Sequence, residues 1–365
     1  MKDFLEKLPY MVDMYGTSPK LEEMPRKSLL DKGIAGPTAA HSIEEIHSPL
    51  NLAYLTFTTG SSAFQNIVGV TSSEIANRIT ATHKALTQAG VKKGSKVLIT
   101  YPPLVNVFTK QALEEYELSW FFLQRSTRDA FLAALYHENP DVIVGESTFI
   151  KATLEDAKIT GVSQYLPKDK IILVAGTPLD LDLIPIAKEV INSEVHDLYG
   201  CQEFGWLTLD GIPVRDDISL IESPIKNGEY IEFVVGGLPM GDSFIYSESG
   251  HILNPQGKII TYRRERTHPE YEVFVKATTL SSFETIGRVA RTILRIKSRI
   301  VKVADDVKTS APHTILELRP SLGERNSASY IIEGPQKTKI FDDMVKAQLD
   351  YQQLNKSDPA WIKRR

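Results

Sequence analysis

Short apolar runs alternate with longer amphipathic segments over residues 51–210, and this pattern constrains the fold more than any other feature. Runs at residues 97–100, 142–145 and 171–176 have the length and apolar content of buried strands. The segments between them are long enough for helices. Buried strands that alternate with helices predict an α/β fold, in which layered sheets are flanked by helices.

The clearest helical pattern covers residues 72–89. Thr71 and Glu74 have the spacing of a capping box, and Gly90 is suited to the position just after a helix end. The face that we predict to be buried carries Ile75, Ile79, Leu86 and Ala89.

The sequence predicts four regions. Residues 1–50 form a partly helical lead-in, residues 51–210 an α/β nucleotide-binding region, residues 211–300 a small β-rich subdomain, and residues 301–365 a reduced C-terminal piece. The last region contains one predicted amphipathic helix at about 337–354.

The composition of the chain argues against several classes of function. The chain of 365 residues has a net charge of −4, which gives no support to nucleic-acid binding. No apolar stretch has the length of a signal-peptide core or of a membrane span, so no membrane partner is expected. A single cysteine, Cys201, excludes an intrachain disulfide. These features predict a cytoplasmic protein.

A run of small and hydroxylated residues follows the first apolar run. Its hydroxyl and backbone N–H groups could converge on phosphate oxygens, although an ordinary Ser/Thr turn has the same composition. The candidate phosphate-binding residues are Thr58, Thr59, Gly60, Ser61 and Ser62.

Two further segments lie where predicted strands end. Gly176, Thr177 and Pro178 follow one strand, at the place where ligands bind in open α/β sheets. Residues 195–205 follow the next helical segment and include Tyr199, which could stack on a base. Glu203 in the same segment could hold Mg²⁺ beside a phosphate. Each segment alone also fits a plain turn.

Taken together and in this order, the three segments resemble the motifs of the adenylate-forming superfamily of acyl- and aryl-CoA ligases. Residues 58–66 resemble its phosphate loop T-S-G-T-T-G-x-P-K. Residues 175–178 resemble its G-G-E-P motif, and residues 199–203 its Y-G-x-T-E motif. Residues 197–205 are most similar to the phenylacetate–CoA ligase branch.

The resemblance implies an enzyme that uses ATP and Mg²⁺ to convert a carboxylic acid into an acyl-adenylate. It implies that Glu203 binds the metal and that Arg288, which matches the arginine of the family's hinge motif, contributes to catalysis. His196 could polarise the substrate carboxylate, although a lone histidine beside a strand is usually structural. Beyond the phosphate-loop residues, the implied nucleotide contacts are Gly176, Thr177, Pro178, Asp197, Leu198, Tyr199, Gly200 and Asp242.

The motifs also depart from the family pattern. The second glycine and the lysine of the phosphate loop are replaced by Ala63 and Asn66. The ribose-binding Asp of the family has no counterpart in register, and Asp242 is its substitute candidate. Weaker neutralisation of the phosphate charge is the expected consequence.

The short length and reduced C-terminal end are similar to those of the adenylating enzymes of phenazine-antibiotic (griseoluteic acid) biosynthesis. This likeness implies a planar aromatic carboxylic acid as substrate and a downstream reductase or other acceptor as partner. An aromatic acid calls for a slot with exposed ring faces. The candidate residues of that slot are Tyr101, Phe108, Phe204 and Trp206.

Two alternatives remain open at this point. One is a fatty acyl-CoA or acyl-protein ligase. The other is a catalytically degenerate relative that binds a nucleotide or a carboxylate without turnover, which the missing loop lysine would explain.

Overall fold

In the part of the chain that it describes, the computed structural model contains four β-sheets, with helices packed on the largest of them. It describes residues 52–57, 67–102, 104–123, 125–223, 230–246, 252–253, 265–266, 271–287, 289–290, 301–320 and 329–355, together with Lys2, Leu5, Glu6 and Pro9. The strands are β1 Leu52–Phe57, β2 Ile67–Thr71, β3 Lys96–Ile99, β4 Ser119–Phe122, β5 Val142–Gly145, β6 Ile171–Val174, β7 Glu194–Cys201, β8 Gly205–Leu209, β9 Ile212–Pro213, β10 Ile218–Glu222, β11 Tyr230–Val235, β12 Leu238–Tyr246, β13 Ile252–Leu253, β14 Glu265–Arg266, β15 Tyr271–Ala277, β16 Val301–Lys308, β17 Ile315–Pro320 and β18 Tyr330–Glu333. The labelled helices are α1 Ser72–Gln88, α2 Leu104–Phe108, α3 Lys110–Glu115, α4 Arg128–Glu138, α5 Ser147–Ile159, α6 Leu183–Ile191 and α7 Lys339–Asn355.

The largest sheet has seven strands in the order β4-β3-β5-β6-β7-β8-β9. Its first five strands pair in parallel, whereas β8 and β9 join antiparallel. Every residue of β5 and β8 is buried, as expected for strands covered on both faces. The apolar runs of the sequence therefore form the core of this sheet, and the predicted α/β fold is confirmed.

The described residues also form three smaller sheets. Strands β1 and β2 pair antiparallel. Strands β10 to β14 form a second sheet, and the third has the order β16-β15-β17-β18. In the third sheet β15 pairs with β16 and β17, so strands from both sides of the boundary predicted at residue 300 hydrogen-bond to each other. The predicted C-terminal helix is confirmed as α7.

Helix α1 begins and ends where the sequence predicts. The Thr71 side chain accepts a hydrogen bond from the backbone N–H of Glu74, and Gly90 follows the end of the helix with a φ of +74°. The buried face differs from the prediction, because Ile75 and Ile79 are only half-buried. The buried residues of α1 are Glu74, Arg78, Ala81, Thr82, Ala85 and Leu86.

The carboxyl end of β7 joins two hydrophobic cores. Leu198 packs in the core between the seven-stranded sheet and α1. Tyr199 and Phe204 belong instead to the core formed by the second and third sheets, together with Phe233 and Phe244. Residues 198–204 therefore lie at the junction between the large sheet and the smaller ones. Among the described residues, no helix has the length and apolarity needed to cross a membrane.

Candidate functional site

The turn after β6 lies at the carboxyl edge of the parallel strands. Gly176 has a φ of +87°, which favours glycine, and both Gly176 and Pro178 are exposed. A Cβ atom on Gly176 would lie 3.8 Å from the side chains of Tyr101 and Glu146. The structure thus brings Tyr101, predicted for the acid, to the same edge as Gly176, Thr177 and Pro178, predicted for the nucleotide.

Strand β7 continues past β6 at this edge. Asp197 is the last β7 residue that pairs with β6, opposite Val174, and the strand runs on to Cys201. Gly200 is needed there, because a Cβ on it would lie 2.5 Å from the carbonyl oxygen of Gly205. The hairpin between β7 and β8 therefore explains this glycine without any ligand.

Tyr199 is buried and linked to Asp242 on β12. Its hydroxyl lies 2.6 Å from Oδ2 of Asp242, and its ring meets Phe244 edge-on with centroids 5.2 Å apart. Only 1% of Tyr199 is exposed. The ring therefore has no open face for the base stacking that the sequence predicts, and the residue connects the predicted nucleotide segment to Asp242.

Glu203 and Asp242 are buried carboxylates that share a neighbour. Burial raises the pKa of the Cys201 thiol far above its usual range, and the negative charges of Glu203 and Asp242 raise it further. Cys201 is thus held as a neutral thiol and is unsuited to act as a nucleophile. Tyr199 of β7 contacts Asp242 of β12, and Glu203 lies in the turn that follows β7.

Two arginines hold the turn that carries Glu203. Nη2 of Arg78 donates to the carbonyl oxygens of Gln202, at 2.8 Å, and of Glu203, at 2.7 Å. Nη1 of Arg215 donates to the next carbonyl oxygen, that of Phe204. Three consecutive carbonyl groups therefore point toward buried guanidinium groups.

His196 lies deeper in the sheet than the residues at its edge. Nδ1 of His196 is 2.7 Å from Oδ2 of Asp210, whose other oxygen accepts from the backbone N–H of Asp197. The hydrogen bond to Asp210 raises the pKa of His196, against an opposing effect of burial. This arrangement ties β7 to the turn after β8. The catalytic role of His196 stays a prediction.

The rings predicted to form an aromatic slot mostly fill the core. Phe108 and Trp206 meet edge-on with centroids 4.7 Å apart, and each is 1% exposed, as is Phe204. Tyr101 differs, since it is half-buried at the sheet edge. Of the four residues, only Tyr101 is placed where it could contact a bound acid without a change in the core.

Some predicted site residues lie outside the described part of the chain. They are Thr58, Thr59, Gly60, Ser61, Ser62 and Arg288. The strands on either side of residues 58–62 pair with each other, with Phe57 opposite Ile67. Helix α1 follows directly and carries Arg78 to the turn of Glu203, so the chain after the predicted phosphate loop contacts the predicted metal site.

The described residues contain no group of three or more His, Cys, Asp or Glu side chains that could hold a metal ion on their own. Mg²⁺ that arrives with a nucleotide needs fewer protein ligands, because one or two carboxylates and the phosphates suffice. Glu203, which is 5% exposed, stays the predicted ligand for this second kind of site.

Comparison with known proteins identifies relatives. The chain is 58% identical over its whole length to an ACP-SH:acetate ligase of Malonomonas rubra, whose whole length is also covered. The chain belongs to the ACP-SH:acetate ligase family. A family model described as the MadH C-terminal domain matches residues 210–352. The prediction that the chain is a ligase is confirmed at the level of the family.

Solved structures show more distant likenesses. The N-terminal domain of FACL13 from Mycobacterium tuberculosis aligns with 60% of this chain and 62% of its own, at 11% identity and a TM-score of 0.47. Apo MatB from Rhodopseudomonas palustris aligns with 62% of this chain and 49% of its own, at 14% identity and a TM-score of 0.44. The chain thus spans less than two thirds of either structure.

Membership in the ACP-SH:acetate ligase family does not support the phenazine branch that the sequence suggested. Of the alternatives, the acyl-protein ligase comes nearest to the name of the relative.

The sequence analysis did not identify Arg78, Arg215 and Asp210. Arg78 could have been found from the sequence, because it lies one helical turn after Glu74. Both residues are on the face of α1 that carries small residues, not on the face that carries the other charged residues.

Proposed function

We propose that the protein activates acetate with ATP and transfers the acetyl group to the thiol of an acyl carrier protein. The observation that carries this proposal is the 58% identity to an ACP-SH:acetate ligase along the full length of both chains. Fold alone would not suffice, because one fold supports many activities.

The reaction has two steps. A carboxylate oxygen of acetate attacks the α-phosphorus of ATP, which forms acetyl-adenylate and releases pyrophosphate. The thiolate of the carrier protein then attacks the acetyl carbonyl carbon, the thioester forms, and AMP leaves. In both steps the enzyme mainly positions the reactants and stabilises the charge that develops.

The site residues receive the following proposed roles. Gly176, Thr177 and Pro178 border the adenine, because they lie at the carboxyl edge beside the half-buried Tyr101. Asp242, held by the Tyr199 hydroxyl, contacts the ribose. Glu203 binds Mg²⁺, which neutralises phosphate charge when bound. Residues 58–62 hold the outer phosphates.

A small acid agrees with the packing of the predicted aromatic slot. Phe108, Phe204 and Trp206 are each 1% exposed, so these rings leave no open face for a flat acid of several rings. Acetate needs only a small space beside the α-phosphate. The buried aromatic residues are thus consistent with a two-carbon substrate and give no reason to prefer an aromatic one.

Acid-dependent exchange of pyrophosphate into ATP tests the first step. The purified protein is incubated with ATP, Mg²⁺ and labelled pyrophosphate, together with acetate, a long-chain fatty acid, benzoate or a phenazine carboxylic acid. We expect exchange with acetate and at most weak exchange with the other acids. Exchange with the aromatic acids alone would contradict the proposed substrate.

The degenerate alternative gives a separate result in the same experiment. It predicts no exchange with any acid, while calorimetry still detects ATP binding. That outcome would overturn the proposed activity and leave only a nucleotide-binding function.

A further inference from the structure

The turn at residues 202–204 is held from inside by two arginines that the sequence motifs do not include. Arg78 donates to two of its carbonyl groups and Arg215 to the third. Arg78 is 0% exposed, and the side chain of Arg215 is 1% exposed. Neither side chain can exchange these partners for water without disrupting the core.

Each guanidinium group is accompanied by a carboxylate. Oε1 of Glu74 lies 3.4 Å from Nη2 of Arg78, whereas Asp217 binds Arg215 through both oxygens at 2.8 and 2.6 Å. Buried charges are costly unless they are paired and hydrogen-bonded. Because the Glu74 contact is the longer one, the two carbonyl oxygens are the closer partners of Arg78.

The glycine after the turn supplies independent support. Gly205 has a φ of +75°, and a Cβ there would lie 3.0 Å from Cγ of Arg78. The turn therefore surrounds the Arg78 side chain. Its carbonyl groups contact the guanidinium group, and Gly205 contacts the aliphatic part of the side chain. Such close packing fixes the backbone of Glu203 more tightly than a solvent-exposed turn would be fixed.

We propose that Arg78 is a positioning residue, which holds the 202–204 turn so that the Glu203 carboxylate is presented to the metal–nucleotide complex. The inference rests on the proposed function, because it takes Glu203 as the metal-binding acid. It also explains why α1, the helix next after the predicted phosphate loop and β2, carries a buried arginine. One helix then couples the predicted phosphate-binding segment to the acid that would hold Mg²⁺ beside the same phosphates.

The test compares Arg78→Lys with Glu74→Gln. Lysine keeps the charge but loses the planar fork, whereas Glu74→Gln keeps the arginine and its carbonyl contacts. For each protein, calorimetry measures the apparent affinity for ATP over a series of MgCl₂ concentrations. Acetate-dependent pyrophosphate exchange measures the Mg²⁺ concentration that gives half-maximal rate.

We expect Arg78→Lys to raise the half-saturating Mg²⁺ concentration about tenfold or more, which is the usual cost of losing a group that orients a metal ligand. The Michaelis constant for acetate should stay within about twofold. Glu74→Gln should lower the melting temperature but leave the Mg²⁺ dependence within about twofold of wild type. A lower melting temperature in Arg78→Lys with unchanged Mg²⁺ dependence would reduce Arg78 to a structural residue.

Two controls separate this inference from the proposed function. If wild type shows no acetate-dependent exchange, the proposed function fails. If wild type is active and Glu203→Gln has the same Mg²⁺ dependence as wild type, the metal assignment fails and the inference about Arg78 fails with it. If Arg78→Lys does not fold, the double variant Glu74→Gln with Arg78→Gln removes both charges, and its Mg²⁺ dependence must still be weakened about tenfold.

Discussion

The seven-stranded sheet and the third sheet bury their strands in different ways. Each residue of β5 is buried, whereas β15 alternates strictly between buried and half-buried residues. Helices cover both faces of the first sheet, and its predicted ligand-binding edge is therefore the line of strand ends. The third sheet buries one face of β15 and β17 against the second sheet.

The sheets also differ in which sequence features they carry, the predicted binding motifs or the match to the family model. The motif-like segments at residues 175–178 and 199–203 belong to strand ends of the seven-stranded sheet. The family model matches residues 210–352, which contain the second and third sheets. The predicted nucleotide-binding segments and the region that the family model matches meet where Tyr199 contacts Asp242.

The largest expected effect is on catalysis at that junction. Glu203→Gln should reduce acetate-dependent pyrophosphate exchange about 100- to 1000-fold, because the proposed protein ligand of the Mg²⁺ that stabilises the reacting phosphate is lost. Glu333→Gln, in the exposed part of β18, is the matched control and should leave the rate unchanged. Equal rates in wild type and Glu203→Gln would remove the metal assignment.

The next largest effect is expected on the stability of the β7–β8 hairpin. Gly200→Ala should destabilise the protein by about 2–3 kcal/mol, since the new methyl group would meet the backbone of Gly205 and Trp206. Gly94→Ala is the control, with a φ of +81° and open space around the site, and should cost about 1–2 kcal/mol. Denaturant unfolding measures both. A smaller loss for Gly200→Ala than for Gly94→Ala would show that the hairpin can relax.

Substitutions at adjacent positions sharpen the comparison of the two sheets. In β5 both Ile143→Val and Val144→Ala should cost about 1 kcal/mol or more, because both residues are buried. In β15, Val273→Ala should cost as much, but the neighbouring Glu272→Ala only about 0.5 kcal/mol, the range of a partly exposed ion pair. Unfolding free energies that alternate in β5 as well would contradict the two-sided burial of that strand.

The smallest effect concerns pH. Because Asp210 raises the pKa of His196 above its ordinary 6.5, the pair stabilises the fold fully below that value and loses this contribution as pH rises through the raised pKa. Asp210→Asn should therefore cost more stability at pH 6 than at pH 9, and urea unfolding at both values checks it. A cost that does not change with pH would mean that His196 is neutral throughout.

The sequence predicted the parts of this fold that depend on local patterns. Buried strands such as β5 are visible as apolar runs, and the cap at Thr71 follows from residue types alone. The buried face of α1 was not predictable in this way, because Arg78 is buried by partners 124 and 125 residues away. The rings of Phe108 and Trp206 likewise suggested a slot, although their contact with each other depends on tertiary packing.

The central claim is tested most directly by the fate of the acetyl group. Labelled acetate, ATP, Mg²⁺ and an acyl carrier protein with a free thiol are incubated with the enzyme, beside the same carrier protein with its thiol blocked. We expect ATP-dependent label on the free-thiol carrier, released by hydroxylamine, and none on the blocked carrier. Acetyl-adenylate that accumulates without label on either carrier, or label that appears without ATP, would contradict it.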